Sequence, residues 1–191
     1  MQGLADGYFV LPYTIGDYLA DDIRTGKISI DTKEFEDAEA AVKNRLEGFV
    51  NKKGTKTVDH FHRRLGKVMW EKVGMARNEK GLKEAIKEIQ DIREEFYKDV
   101  LVPGGAYELN PELDKAARVE DFLELGELFA KDALDRTESC GGHFREESQT
   151  PEGEALRDDV NFSFTSAWEW NNSPSDPILH KEKLSFKDIE L

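Results

Sequence analysis

The sequence predicts a mainly α protein, an antiparallel bundle of three to four long helices followed by a C-terminal loop and a short β-hairpin. Three observations point to it. Apolar residues recur at i, i+3/i+4 through most of the first 136 positions, the spacing of an amphipathic helix. Glycine, proline and asparagine clusters cut that pattern into helix-sized pieces. From Ser148 onward the apolar period changes to two, as in a strand.

Thr14 to Arg24 reads as a short helix capped by Thr14, with Ile15, Tyr18, Leu19 and Ile23 as its stripe and Gly26 closing it. Lys27-Ile28-Ser29-Ile30 is a brief extended piece. Asp31 or Thr32 then caps the first long helix, near residues 33–50, where Glu34 and Glu36 suit the positive N-terminal end. Its expected inner face carries Phe35, Ala38, Ala41 or Val42, Leu46 and Phe49. After the polar loop Asn51–Gly54, Thr57 opens a second helix, near 57–76, with Phe61, Leu65, Val68, Met69 and Val73 inward and Trp70 at the flank. A third, near 80–100, places Leu82, Ile86, Ile89, Ile92 or Arg93, Phe96 and Val100 on one face, and Pro103-Gly104-Gly105 ends it. Asn110-Pro111, a cap followed by proline at the first helical position, starts the fourth near 111–135. Its expected inward residues are Leu113, Ala117, Phe122, Leu125, Leu128 or Phe129, and Ala133. In the tail, Phe162, Phe164, Trp168 and Trp170 share one parity, and Ile178 to Phe186 offers a second strand across the turn at Asn171–Pro177.

The chain has 191 residues, enough for one domain with appendages. With 40 acidic against 27 basic residues its net charge is −13, which argues against a nucleic-acid footprint and against a polybasic lipid attachment. No apolar run approaches the roughly 18–20 residues that span a bilayer, so direct membrane insertion is not expected. The single cysteine, Cys140, leaves no intrachain disulfide and fits a reducing compartment. The opening Leu4–Tyr13 is apolar and aromatic with no polar lead-in. Termini are ordinarily solvated, so this stretch reads as packing on something else, and the chain as a fragment of a larger protein.

The most informative stretch runs from Asp135 to Glu147. Two adjacent glycines, Gly141 and Gly142, separate Cys140 from His143, with Arg136, Arg145 and several carboxylates alongside. Paired glycines free the backbone, so a tight turn ending the fourth helix is expected. The plain reading is a helix stop with solvated charges; the functional one is a set of polar groups held on a structured turn. Cys140 and His143 do not make a metal site, which needs a fuller set of close Cys and His ligands, and their spacing does not establish a nucleophilic pair. His60, His62, Arg63 and Arg64 read as a partly exposed helix face, and Lys83, Glu84, Lys87 and Glu88 as a solvated one with i, i+4 pairs. No Gly-x-Gly-x-x-Gly fingerprint and no phosphate-binding loop is present.

The motif Glu138-Ser139-Cys140-Gly141-Gly142-His143-Phe144-Arg145, followed by Arg157-Asp158-Asp159, resembles the C-terminal domain of succinate dehydrogenase and fumarate reductase flavoprotein subunits. Phe61–Glu71 with Gly74-Met75-Ala76-Arg77, Val119–Leu128, Asp158–Phe162 and the Trp168-Glu169 strand also resemble that family, so the likeness spans essentially the whole chain. The Cys-Gly-Gly form is similar to that of bacterial diheme quinol:fumarate reductases and related succinate dehydrogenases. Cys140 stands where other members carry arginine, which puts any role of that guanidinium in doubt.

The resemblance implies a parent enzyme that holds FAD and interconverts succinate and fumarate. Its flavin, dicarboxylate and proton-delivering residues lie upstream of Met1 in the family pattern, so no catalytic, cofactor or metal residue is assigned here and the chain alone is expected to be inactive. It divides the chain into residues 1–31 leaving the flavin domain, with Leu4–Leu19 as that linker, residues 32–147 as the bundle and residues 148–191 as the tail. Arg136, Glu138, Ser139, Gly141, Gly142, His143, Arg145, Arg157 and Asp158 are the implied interdomain or subunit contacts, with His143 and Arg145 facing the flavin domain and Trp168 and Trp170 in the core or toward an iron–sulfur subunit. Implied partners are the upstream flavin domain, an iron–sulfur subunit and a membrane diheme cytochrome b subunit, at the cytoplasmic face of the bacterial inner membrane. L-aspartate oxidase, a relative without an iron–sulfur partner, and a non-enzymatic helical interaction module are the alternatives.

Overall fold

A computed structural model describes residues 1–185. Its contacts divide the chain into two units, Met1–Val42 and Lys43–Leu191. In the first unit, α- and π-type turns run from Gln2 to Tyr18 and a last turn covers Ala20–Ile23. Helix therefore begins well before Thr14, and Thr14 sits inside it with its hydroxyl on the Val10 carbonyl (2.9 Å) instead of capping it. Leu4, Tyr8, Phe9, Leu11, Tyr13, Tyr18 and Ile23 are all more than half exposed.

The long helices are α1 (Lys33–Asn51), α2 (Val58–Lys72), α3 (Glu79–Asp99) and α4 (Pro111–Asp135). Their starts follow the capping signals. Thr57 accepts from the His60 amide, Asn78 from Gly81, and Asn110 from Glu112 and Leu113, each satisfying donors that a helix N-terminus leaves unpaired. On α1 only Leu46 and Phe49 face the core, whereas Phe35 and Val42 are exposed; the expected stripe is wrong in its first half.

The core is a seam between α2, α3 and α4, joined by the end of α1. Phe61, Leu65 and Val68 of α2 meet Leu82, Ala85, Ile89, Ile92 and Phe96 of α3. Phe96 is fully buried, with Phe61 (5.3 Å between ring centroids) and Phe49 (5.7 Å) edge-on against it, a favoured aromatic geometry. A two-residue strand β1 (Lys56–Thr57) pairs in parallel with β3 (Val100–Leu101), which clamps the loop after α1 to the end of α3. Gly54 permits this approach, because a Cβ there would lie 2.1 Å from the Asp99 carbonyl oxygen.

Helix α4 departs from expectation. Its buried residues are Leu113, Ala116, Val119, Leu123, Gly126, Glu127, Ala130 and Ala133, while Phe122, Leu125 and Phe129 are exposed. Both faces of α4 carry apolar residues, so periodicity could not choose between them. The small residues won the inner face because α4 runs close to its neighbours: a Cβ on Gly126 would already meet Met69 Sδ at 3.3 Å and Leu65 at 3.5 Å. Phe122, Leu125 and Phe129 instead line an apolar groove with His62, Gly66 and Met69.

The tail forms the expected antiparallel hairpin of β5 (Phe164–Glu169) and β6 (Ile178–Lys183), with Trp168 opposite Leu179. Phe164 and Trp168 turn inward, whereas Trp170 lies outside β5 and is exposed. Phe162 belongs to a short helix, Asp159–Phe162. Phe186, expected to end the second strand, lies outside the described residues.

Candidate functional site

Between α2 and α3, the two-residue strand β2 (Ala76–Arg77) pairs in parallel with β4 (Phe144–Arg145) from the segment after α4. The Phe144 amide donates to the Met75 carbonyl (3.2 Å) and the Glu146 amide to the Arg77 carbonyl (2.9 Å). This short ladder brings the Gly-Gly turn against the junction of α2 and α3.

The turn is not the end of the helix. Helix α4 stops at Asp135, and Arg136 is already extended. Cys140 and His143 exchange backbone hydrogen bonds of 2.9 and 3.1 Å across Gly141 and Gly142, which makes a two-residue hairpin turn. Gly141 has φ +59° and Gly142 is not in the positive-φ region, the pattern of a type II′ turn, in which glycine takes the first central position.

Arg145 ends α4 chemically. It is buried, and its NH1 group donates to the carbonyls of Ala133 (3.1 Å), Leu134 (3.3 Å) and Arg136 (3.1 Å), placing a cation at the negative end of the helix. Its Nε reaches Glu147 at 3.2 Å. Glu147 in turn accepts from the Glu79 amide (2.6 Å), and Glu146 accepts from Asn78 Nδ2 (2.6 Å), so two carboxylates meet the positive end of α3. Burial works against the charge of Glu147, but its bonds to the Glu79 amide and Arg145 outweigh that and hold its pKa below the ordinary carboxylate range. The segment 145–147 is a strap joining the C-terminus of α4 to the N-terminus of α3 through both helix dipoles.

The remaining residues extend the strap. Ser139 is fully buried with its hydroxyl on the Arg145 backbone. Glu138, also buried, pairs with Arg136 and accepts from the Asp158 amide at 2.7 Å. Asp158 caps the short helix through the Asn161 amide (3.2 Å). Arg136 lies over the rings of Phe162 (5.5 Å) and Phe164 (5.3 Å) and so pins the aromatic tail. Trp168 donates its indole N–H to Asp132 of α4 at 2.8 Å.

His143 is half-buried. Its Nε2 is 2.8 Å from the Arg136 carbonyl and its Nδ1 3.1 Å from Arg77 NH1. A carbonyl only accepts and a guanidinium only donates, so the proton sits on Nε2 and Nδ1 accepts. Burial lowers the pKa of His143 below 6.5, and the charges of Arg77, Arg145 and Arg136 reinforce this against the opposing bond to the Arg136 carbonyl. The ring is neutral at neutral pH.

Of the nine candidate residues, Arg136, Glu138, Ser139, Gly141, Gly142, His143, Arg145 and Asp158 gather in one cluster. Arg157 sits beside it, exposed and paired with Asp159. Arg145, expected to face the flavin domain, is buried within this chain with its guanidinium on the carbonyls of Ala133, Leu134 and Arg136. Glu138 and Ser139 are likewise turned inward, leaving Gly141, Gly142 and Arg157 exposed and Arg136 and His143 half-exposed.

Two residues escaped the sequence reading. Arg77 is buried at the centre of the cluster, and a two-residue strand leaves no periodic signal. Glu127 is fully buried on α4 and is held by Gln90 (2.7 Å), Lys131 (2.9 Å) and Arg93. Only the complementary charges on α3 and one turn further along α4 could have suggested it.

Fold and cluster together define a helical-bundle domain whose C-terminal strap ties its helix ends. The chain belongs to the fumarate reductase flavoprotein C-terminal family, whose model matches residues 62–191. The fumarate reductase flavoprotein subunit of Helicobacter pylori is 30% identical over 178 residues, covering 93% of this chain and 24% of that protein. The Mycobacterium smegmatis Sdh1 complex in its apo form superimposes with a TM-score of 0.70 at 25% identity, over 87% of this chain and 27% of that one. An E. coli quinol fumarate reductase gives 0.73 over 88% of this chain and 27% of that one, and at 23% identity shows the shared fold. This chain thus spans about a quarter of the length of the curated relative it matches. The family match displaces the unrelated helical module as an explanation, and the Helicobacter relative favours fumarate reductase over L-aspartate oxidase.

The family name implies a flavin, and the residues of this domain do not fit one. A dinucleotide site rests on a strand and helix joined by a glycine-rich turn, with the pyrophosphate at the helix N-terminus. Here the described parallel pairs are two residues long, and no Gly-x-Gly-x-x-Gly occurs.

Proposed function

We propose that this chain is the C-terminal helical domain of the FAD-containing subunit of a succinate:quinone oxidoreductase or fumarate reductase, which interconverts succinate and fumarate. The observation that carries the reading is the match of 93% of the chain to about a quarter of a fumarate reductase flavoprotein subunit. The domain supplies contacts, while flavin and dicarboxylate are held upstream. Residues 1–31 form the segment leaving the flavin domain, residues 32–147 the bundle and residues 148–191 the tail.

The contact surface on this reading centres on Gly141, Gly142, His143, Arg136 and Arg157, with Glu138, Ser139, Arg145 and Asp158 fixing its shape. Glycines at a turn tip let another backbone approach closely. The exposed apolar side chains of Leu4–Ile23 support a second contact with the flavin domain. Further partners are an iron–sulfur subunit and a membrane diheme cytochrome b subunit. The assembly sits at the cytoplasmic face of the bacterial inner membrane, peripheral as far as this domain is concerned: among the described residues no helix is long and apolar enough to cross a membrane.

The test is to purify the native polypeptide containing this chain and measure its flavin and its turnover. Bound FAD with fumarate reduction by a reduced dye supports the reading. Bound FAD with oxidation of L-aspartate and no reaction with succinate would transfer it to L-aspartate oxidase.

A further inference from the structure

We propose that the pocket between the C-terminal half of α4 and the Cys140–His143 turn binds a singly charged carboxylate, with Arg77 as its anchoring cation. The pocket has a volume of about 360 Å³ and is lined by Arg77, Phe129, Asp132, Arg136, Gly142 and His143. Arg77 is 8% exposed. It spends Nε on the Gly74 carbonyl (2.7 Å) and one NH1 hydrogen on His143 Nδ1 (3.1 Å), with its guanidinium 5.4 Å from the Phe129 ring centroid.

No carboxylate among the described residues lies within ion-pair distance of Arg77. Its neighbours differ: Arg145 has Glu147, Arg136 has Glu138, and Arg93 across the bundle has Glu127. A buried guanidinium without a counterion is costly, and its remaining N–H groups form the fork that carboxylates fit. Burial and the charge of Arg145 disfavour the Arg77 cation, and among the described residues the charge of Asp132 opposes them.

The surroundings select the ligand's charge. Asp132 lines the same pocket, and one of its oxygens is held by Trp168. It repels a dianion such as a phosphate ester. His143 adds no positive charge, because it is neutral and its Nε2–H is committed to the Arg136 carbonyl. Among the described residues Arg77 is the lining arginine without a carboxylate in ion-pair distance, so one anionic charge matches it, and Phe129 offers an apolar wall for the carbons behind it.

The ligand is either a free small carboxylate or an acidic side chain presented by a partner surface. The test is NMR titration of the 191-residue chain, following the Gly142 amide and the His143 Nε2–H, with acetate as probe of the first source and N-acetyl-aspartate amide as probe of the second. Saturable shifts are expected that chloride at equal ionic strength does not produce. R77Q should abolish them. D132N keeps the oxygen that accepts from Trp168 and removes the competing charge, so it should tighten binding by roughly threefold. Tighter binding of the aspartate amide identifies a protein side chain as the natural occupant, and tighter acetate binding a free ligand. Shifts no larger than those with chloride, or shifts unchanged in both R77Q and D132N, would overturn the proposal. Because the readout involves no redox activity, it can fail while the flavoprotein reading stands, and the reverse.

Discussion

Ser139 and Arg145 are joined by a reciprocal pair of hydrogen bonds: the Arg145 amide donates to Ser139 Oγ at 2.8 Å, and the same hydroxyl donates to the Arg145 carbonyl at 3.1 Å. Both groups are buried. The pair closes the loop carrying Gly141 and Gly142 at its base, six residues apart in sequence, and so fixes where the Arg145 guanidinium enters the end of α4.

Ser139→Ala removes both bonds and leaves the buried Arg145 N–H unpaired, while the Arg145 carbonyl keeps the Ser148 amide at 2.9 Å. The expected loss is about 1–3 kcal/mol, read as a lower denaturant midpoint of the 191-residue chain with an unchanged m-value.

Arg145→Ala should be worse, at about 3 kcal/mol or more, because the Ala133 and Leu134 carbonyls lose the guanidinium, the Arg136 carbonyl keeps only His143, and Glu147 loses its cation. Amide exchange in the last turn of α4 should accelerate most. An Arg145→Ala chain as stable as the parent would show that the strap does not hold the helix end.

The α4 register reverses the expectation for two leucines: Leu125 is expected inward, and Leu123 takes that place. Leu123 is fully buried and Leu125 is 59% exposed. Leu123→Ala should cost about 2–5 kcal/mol and Leu125→Ala no more than about 0.5 kcal/mol, measured by urea unfolding.

Glu127 gives the domain an acid-sensitive core. Burial raises its pKa, but the bonds from Gln90, Lys131 and Arg93 outweigh this and hold it below 4.5 in the fold. The unfolded chain therefore takes up the proton first as pH falls, and stability is lost below about 4.5. Glu127→Ala should cost about 3–5 kcal/mol at neutral pH by leaving Arg93 without its partner, and should flatten that part of the acid limb.

His143 contributes in the same direction at higher pH. Its folded pKa lies below 6.5 while the unfolded imidazole titrates near that value. Stability should decline as pH falls below about 6.5 until the folded ring itself protonates. Nitrogen NMR should show a neutral, Nε2-protonated ring in the folded chain at pH 7; an Nδ1-protonated ring there would contradict the hydrogen-bond assignment.

The helices were largely legible because their signals are local. Thr57, Asn78 and Asn110 cap where the side-chain chemistry of a helix start requires, and the α2 and α3 stripes face the core as their spacing implies. Helix α4 misled because Phe122, Leu125 and Phe129 form an apolar face of their own, and the choice of inner face depended on how near α2 and α3 come to Gly126. The cluster was legible in membership but not in role. Sequence places Arg145 near the turn; only the parallel pairing of residues 76–77 with 144–145 turns its side chain onto the end of α4 and brings in Arg77.

The central claim is that the Cys140–His143 turn presents a contact surface while the groups beneath it hold the fold. Gly142→Trp tests it most directly. Gly142 is exposed, and a Cβ there meets nothing within 4 Å, so the 191-residue chain carrying the substitution should unfold at the same denaturant concentration as the parent. In the intact flavoprotein subunit, the same substitution should loosen docking of this domain, seen as faster proteolytic cleavage between the domains and reduced succinate–fumarate turnover. Unchanged cleavage and turnover in the intact subunit would contradict the account.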